Sequence, residues 1–98
     1  MTYRPLPDYL TIKESEIEGL GLFTNEVIVD EIEIGTTHYK VDEELIRTPL
    51  GGFINHSDYP NCELVKTNDK YYLKTIRDIM AGEELTLEYT LYKIKTND

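Results

Sequence analysis

Two blocks of this chain combine residue types that could do chemistry. Asn55-His56-Ser57, followed two residues later by Pro60-Asn61, sets an amide and an imidazole among turn formers. Gly82-Glu83-Glu84-Leu85-Thr86-Leu87-Glu88-Tyr89 alternates towards a terminal phenol. Several reactions fall away at once. His56-Ser57-Asp58 has the residue types of a hydrolase triad, but three consecutive residues cannot relay a proton along their side chains. His38 and His56 are the only histidines and Cys62 the only cysteine, so neither a ligand pair nor a cysteine zinc cluster is expected. Gly19-Leu20-Gly21 lacks the third glycine of a dinucleotide fingerprint, Thr24 standing in its place, and its sequel is strand-like rather than helical. Paired glycines then mean a tight turn, or a close approach of backbone to a ligand that Cβ atoms would block. By residue type alone, Asn55 and His56 read as turn residues bonding local backbone, and Tyr89 as a core tyrosine with a satisfied hydroxyl.

The elements that must position these residues are short strands and tight turns. Residues 9–13 alternate apolar and polar, the period of a half-buried strand. Ser15 to Gly21 carries turn chemistry. Val27-Ile28-Val29 and Glu31-Ile32-Glu33-Ile34 suggest a second strand region closed by Gly35. Asp42 suits a helix cap, with Glu43 and Glu44 in the first turn and Pro49 ending a helix of two turns at most. Asn68-Asp69 reads as a hairpin turn returning the Leu64-Val65 strand into the aromatic and β-branched run at 71–76. Ala81-Gly82 is a further turn, after which Leu85, Leu87 and Tyr89 share one face of a strand.

Ninety-eight residues, 40% of them hydrophobic, fit one globular domain spanning 1–98, large enough for a core but marginal alone. No apolar stretch approaches the roughly 20 residues of a membrane span, and Met1-Thr2-Tyr3-Arg4 does not begin a secretory signal. The expected address is intracellular and cytoplasmic, or nuclear in a eukaryotic host. The net charge of −9 argues against direct binding of nucleic acid and suits a basic partner, although it also serves solubility. Cys62 reads as a small, partly buried hydrophobe.

Taken together, the Gly19–Phe23 block, the Phe53-Ile54-Asn55-His56 block and the run Arg77-Asp78-Ile79 through Gly82 to Glu84-Leu85-Thr86 and Tyr89 resemble the signature of the SET family, lysine methyltransferases that use S-adenosylmethionine. The resemblance spans about residues 10–92. It implies a mostly β fold of several small curved sheets with one or two short helical turns, closed by a C-terminal pseudoknot in which the last segment threads under an earlier loop. That threading would bring the Asn55-His56 loop against the strand that ends at Tyr89.

The same resemblance implies roles. Glu18, Gly19, Leu20 and Gly21 would meet the methionine part of the cofactor through main-chain groups. Asn55 would hold its amino-acid end, and His56 would contribute backbone contacts to the adenine. Tyr89 would be the catalytic residue, an orienting hydroxyl at the methyl-transfer pore. Tyr39 and Leu87 would line the substrate channel. Leu87 stands where many relatives carry Phe or Tyr, which weakly favours multiple methylation because leucine cannot hydrogen-bond the amine. The variable insert is reduced to about residues 39–50, and Gly52 replaces an arginine common before the Asn-His pair. Nothing after Tyr89 resembles the cysteine-rich, zinc-binding tail of many members, so Tyr92 or a second copy in a homodimer would have to cover the adenine. The expectation is an S-adenosylmethionine-dependent protein-lysine methyltransferase acting on a basic protein or peptide. The rival is a non-catalytic SET-like module that binds a protein, and retention of Asn55, His56 and Tyr89 together favours the enzyme.

Overall fold

The computed structural model describes residues 6–88. Eight strands and one helical turn follow in the order β1 (Leu10–Glu14), β2 (Leu20–Thr24), β3 (Glu33–Val41), β4 (Glu44–Arg47), α1 (Pro49–Gly52), β5 (Asn55–His56), β6 (Cys62–Lys66), β7 (Lys70–Thr75) and β8 (Glu84–Leu87). They join in one curled sheet ordered β1-β2-β8-β6-β7-β3-β4, with β5 added alongside β8. No helix among the described residues is long and apolar enough to cross a membrane.

Three hairpins supply most of the local pairing. β1 and β2 pair antiparallel from Leu10↔Thr24 to Glu14↔Leu20. Their turn closes where Gly19 adopts φ +47°, a left-handed conformation that costs glycine little, and Ser15 N–H donates to the Gly19 carbonyl at 2.8 Å. β6 and β7 are joined at Asn68-Asp69 as their turn chemistry predicts, with Thr67 N–H donating to the Lys70 carbonyl at 2.8 Å. The third hairpin overturns an expectation. Asp42 and Glu43 do not open a helix; with φ +51° and +69° they form the two-residue, left-handed turn between β3 and β4, across which Val41 pairs with Glu44. Left-handed two-residue turns match the twist of antiparallel strands, and strand pairing outweighs the helical preference of three consecutive acidic residues. Pro49 likewise opens α1 instead of ending a helix. It needs no N–H partner in the first turn, and Thr48 caps that turn by accepting from Gly51 N–H at 3.4 Å.

The strand region expected over residues 27–34 is also redrawn. Ile28 makes only an isolated antiparallel bridge to Ile79, and the chain turns at Glu31 with φ +63° before β3 begins at Glu33. Only Ile28 of the Val27-Ile28-Val29 run is buried, so this stretch has one residue to offer the core and no partner for a ladder. Gly35 does not close the strand. It lies inside β3 at a register shift against β7, where a glycine tolerates the irregularity.

The last strand fills the middle of the sheet. β8 runs antiparallel to β2 through Leu22↔Leu85, and parallel to both β6 and β5 through Cys62↔Leu87 and Asn55↔Thr86. Leu85, Thr86 and Leu87 are all buried, so β8 is covered on both faces rather than on one. Leu22, Leu73, Ile79 and Leu85 are wholly buried, and Leu50 and Cys62 pack in the same core. The threading expected of the final segment lies outside the described residues.

Cys62 is more deeply buried than its sequence suggests, at 1% exposure. Burial pushes its thiol up to about 12, with the Arg77 guanidinium pulling weakly the other way. The native thiol is therefore expected to resist a disulfide reagent at pH 8 and to react promptly once the protein is denatured. An unfolded thiol ionises near 8.5, so the unfolded chain gains from deprotonation first and the melting temperature should fall as pH rises above about 9. Rapid labelling of the folded protein would contradict this burial.

Candidate functional site

The site is built where the last strand meets two earlier stretches. Leu50 in α1 and the following Ile54 both sink into the core, at 2% and 3% exposure, and this anchors the chain just before β5. β5 then lies parallel on β8, Asn55 opposite Thr86 and His56 opposite Leu87, and Ser57 N–H donates to the Leu87 carbonyl at 3.1 Å. The β1–β2 hairpin reaches the same place along the same edge of β8, where β2 pairs at Glu84 and Leu85 and β5 takes over at Thr86 and Leu87. Asn55 Nδ2 lies 3.1 Å from the Glu18 carbonyl, 3.2 Å from the Leu20 carbonyl and 2.8 Å from Glu84 Oε2. Three distant parts of the chain thus converge on one side-chain amide.

Glu84 anchors this cluster from β8. Its carboxylate accepts from Ser15 Oγ, which lies 2.7 Å from Oε1 and 2.9 Å from Oε2, and from Asn55. Ser15 Oγ in turn accepts from Ile17 N–H at 2.9 Å, tying the carboxylate to the β1–β2 turn. Gly21 faces the cluster, and the space a side chain would occupy there is filled. A Cβ at this position would collide with the Glu84 carboxylate and stand 3.1 Å from Asn55 Nδ2. The second glycine of the pair is thus required by close approach, the first by its turn. Glu84 also borders an open cavity of about 770 Å³ whose other walls include Lys13, Ile17 and Phe23, with the Lys13 ammonium 4.7 Å above the Phe23 ring.

Asn61 is the counterpart inside the core. It is 2% exposed, donates from Nδ2 to the Glu84 carbonyl at 2.9 Å, and accepts at Oδ1 from Thr86 N–H at 2.8 Å. Its own N–H donates to Thr86 Oγ1 at 3.3 Å, and its carbonyl accepts from Ile76 N–H at 3.0 Å. The side chain thus supplies β8 with main-chain partners that no neighbouring strand offers at that point. Asn61 stands in the Pro60-Asn61 pair noted in the sequence, but its role there, like those of Ser15 and Glu84, was not foreseen. Asn61 and Glu84 bond residues 23 to 69 positions away, a separation that periodicity does not reveal.

Of the residues singled out from the sequence, Glu18, Leu20, Gly21 and Asn55 come together here, with Gly19 in the adjoining turn. His56 sits beside them on β5, its Nε2 3.1 Å from Asp58 Oδ1. Leu87 is buried between β5 and β6 and borders a cavity of about 250 Å³ with Pro60, Cys62 and Leu64. Tyr39 is not brought to this group. It pairs with Ile46 and Lys70 on β3, and β6 and β7 both stand between β3 and β8, a lateral separation of about 14 Å at ordinary strand spacing. Tyr89 and Tyr92 lie outside the described residues. Among the described residues no three His, Cys, Asp or Glu side chains gather as a metal site.

Comparison with known proteins bears on the same stretches. The family model for the SET domain matches residues 6–90. The chain is 33% identical over 90 residues to an H3 lysine-4-specific histone-lysine N-methyltransferase of Schizosaccharomyces pombe, an alignment covering 74% of this chain and 10% of that protein. A crystal structure of a Plasmodium falciparum protein described as a histone methyltransferase superposes with a TM-score of 0.70 at 20% identity, covering 86% of this chain and 95% of the other. The humanized mutant of Chaetomium thermophilum Polycomb Repressive Complex 2, bound to an inhibitor, contains a chain that matches with a TM-score of 0.68 at 21% identity, over 82% of this chain and 14% of that one. These two structures share the fold. The chain spans about a tenth of the length of the curated relatives it matches.

Proposed function

This chain belongs to the SET domain family, and from that premise we propose that it transfers methyl groups from S-adenosylmethionine to lysine side chains of a basic protein. The observation that carries the proposal is the convergence of the Glu18 and Leu20 carbonyls and the Asn55 amide beside the strand that leads to Tyr89. The donor set fits the methionine end of such a cofactor: outward-facing carbonyls accept from its ammonium, and Gly21 leaves no side chain in the way. Glu18, Leu20, Gly21 and Asn55 would hold that end, and the β5 backbone at His56 would lie along the adenosine.

The bound cofactor supplies a methyl group activated by a sulfonium. The protein's task is then positioning, for which a well-aligned displacement gains roughly 7–11 kcal/mol. The Tyr89 hydroxyl would orient the reacting groups through hydrogen bonds. The incoming lysine must lose its proton from a pKa of about 10.4, and a channel with apolar walls such as Leu87 favours the neutral amine. The chain's charge of −9 draws a lysine-rich segment towards the site. The relatives' H3 lysine-4 specificity makes a histone tail the first substrate to try.

Calorimetry tests the cofactor step directly. Wild-type protein is expected to bind S-adenosylmethionine, and Asn55→Ala to weaken binding about tenfold, the cost of one charge-assisted hydrogen bond. Labelled cofactor with histone tails, followed by mass spectrometry, then locates the modified lysine. Absence of cofactor binding by the wild type would leave a protein-binding module in its place.

A further inference from the structure

We propose that Glu84 completes a three-acceptor cradle for a primary ammonium, and that the Asn55 amide nitrogen fills this cradle in the ligand-free protein, yields it to the ammonium of the cofactor and turns to donate to that ligand's carboxylate. The inference rests on the cofactor reading above and assigns to the charge of Glu84 the recognition of that amine. The geometry points there by a count of protons. A carboxamide carries two N–H protons, yet Asn55 Nδ2 stands within 3.2 Å of three acceptors: the Glu18 carbonyl, the Leu20 carbonyl and Glu84 Oε2. The one proton of Ser15 Oγ is likewise divided between two oxygens of Glu84. Three protons serve four oxygens, so these two side chains leave one of the four without a proton from either.

An ammonium has three protons and a positive charge, one proton for each acceptor. The charge matters as much as the count. Among the described residues the hydrogen-bond partners of the Glu84 carboxylate are the neutral Ser15 hydroxyl and Asn55 amide. Lys13, across the β1–β2 pair from Gly21, directs its own ammonium over the Phe23 ring instead. A half-buried carboxylate held by neutral donors gains more from an incoming cation than a paired one would, because charge-assisted bonds are about twice as strong as neutral ones. Gly21 lets the carboxylate lie against the β2 backbone beside the amide, since any Cβ there would strike it.

The test compares S-adenosylhomocysteine with its desamino analogue, which differs only in lacking the ammonium, by calorimetry on wild type and Glu84→Gln. Wild type is expected to prefer the amine-bearing ligand, and Glu84→Gln to reduce that preference about tenfold while binding the desamino analogue as wild type does. An unchanged preference in Glu84→Gln overturns the cradle and leaves the cofactor reading standing. Equal weakening towards both ligands overturns it too, since that marks a role in folding alone. A wild type that binds neither ligand sinks the cofactor reading and this inference with it. Should Glu84→Gln fail to fold, the wild type still decides. The Asn55 side-chain amide resonances in a nitrogen–proton NMR spectrum should shift on adding S-adenosylhomocysteine and stay in place with the desamino analogue; equal shifts with both would refute displacement by the amine.

Discussion

Replacing Tyr89 with phenylalanine is expected to lower turnover by about 100-fold, the usual cost of losing one oriented hydroxyl at a reacting centre, while cofactor affinity stays within about twofold. The reasoning runs through the strand that leads to it. Leu87 is fixed on one side by His56 and on the other by Cys62, and its carbonyl is taken by Ser57 N–H, so the backbone two residues before Tyr89 has little freedom. On the role proposed for Tyr89, deleting its oxygen removes an interaction felt in the transition state more than in the bound state. Single-turnover methyl transfer and calorimetry on the same variant separate the two. Equal loss of affinity and rate would make Tyr89 a structural residue.

The second large effect concerns stability. Asn61→Ala leaves Thr86 N–H without its acceptor and the Glu84 carbonyl without its donor, both inside the sheet. Two buried groups stripped of partners cost about 3–5 kcal/mol together. A domain of this size holds only about 5–15 kcal/mol in all, so the melting temperature should drop by roughly 15 °C or more. Asn55→Ala is the natural comparison, because two of its three acceptors lie at the surface. Its melting temperature should change by a few degrees at most while its cofactor affinity falls. Thermal denaturation of both variants in one buffer makes the contrast. Similar melting temperatures for the two would show that the asparagines do not divide structure from binding in this way.

The parts of this molecule that were legible in its sequence are those specified over short distances. The alternation at residues 9–13 gives β1, and Asn68-Asp69 between two β-rich runs gives the β6–β7 hairpin. Local signals misled where two short-range preferences compete. Asp42, Glu43 and Glu44 suit a first helical turn, yet the strand-forming residues on either side pair, and the acidic residues are left to make the bend. The meeting of Asn55 with Glu18 and Leu20 follows from no period or propensity and became visible only through the family resemblance. Asn61 and Glu84 were hidden for a related reason. Each is an ordinary polar residue in a turn or strand, and its importance comes from partners supplied by remote segments.

The position of β8 has a consequence for how the chain is made. Among the described residues the strand inserted between β2 and β6 comes last in the chain, so β2 and β6 cannot find their shared neighbour until residue 87 has left the ribosome. Until then two strand edges that end up in the interior stand open to solvent and to other chains. Nascent forms halted short of Gly82 should therefore engage chaperones or self-associate, whereas those extended past Glu88 can close the gap and escape.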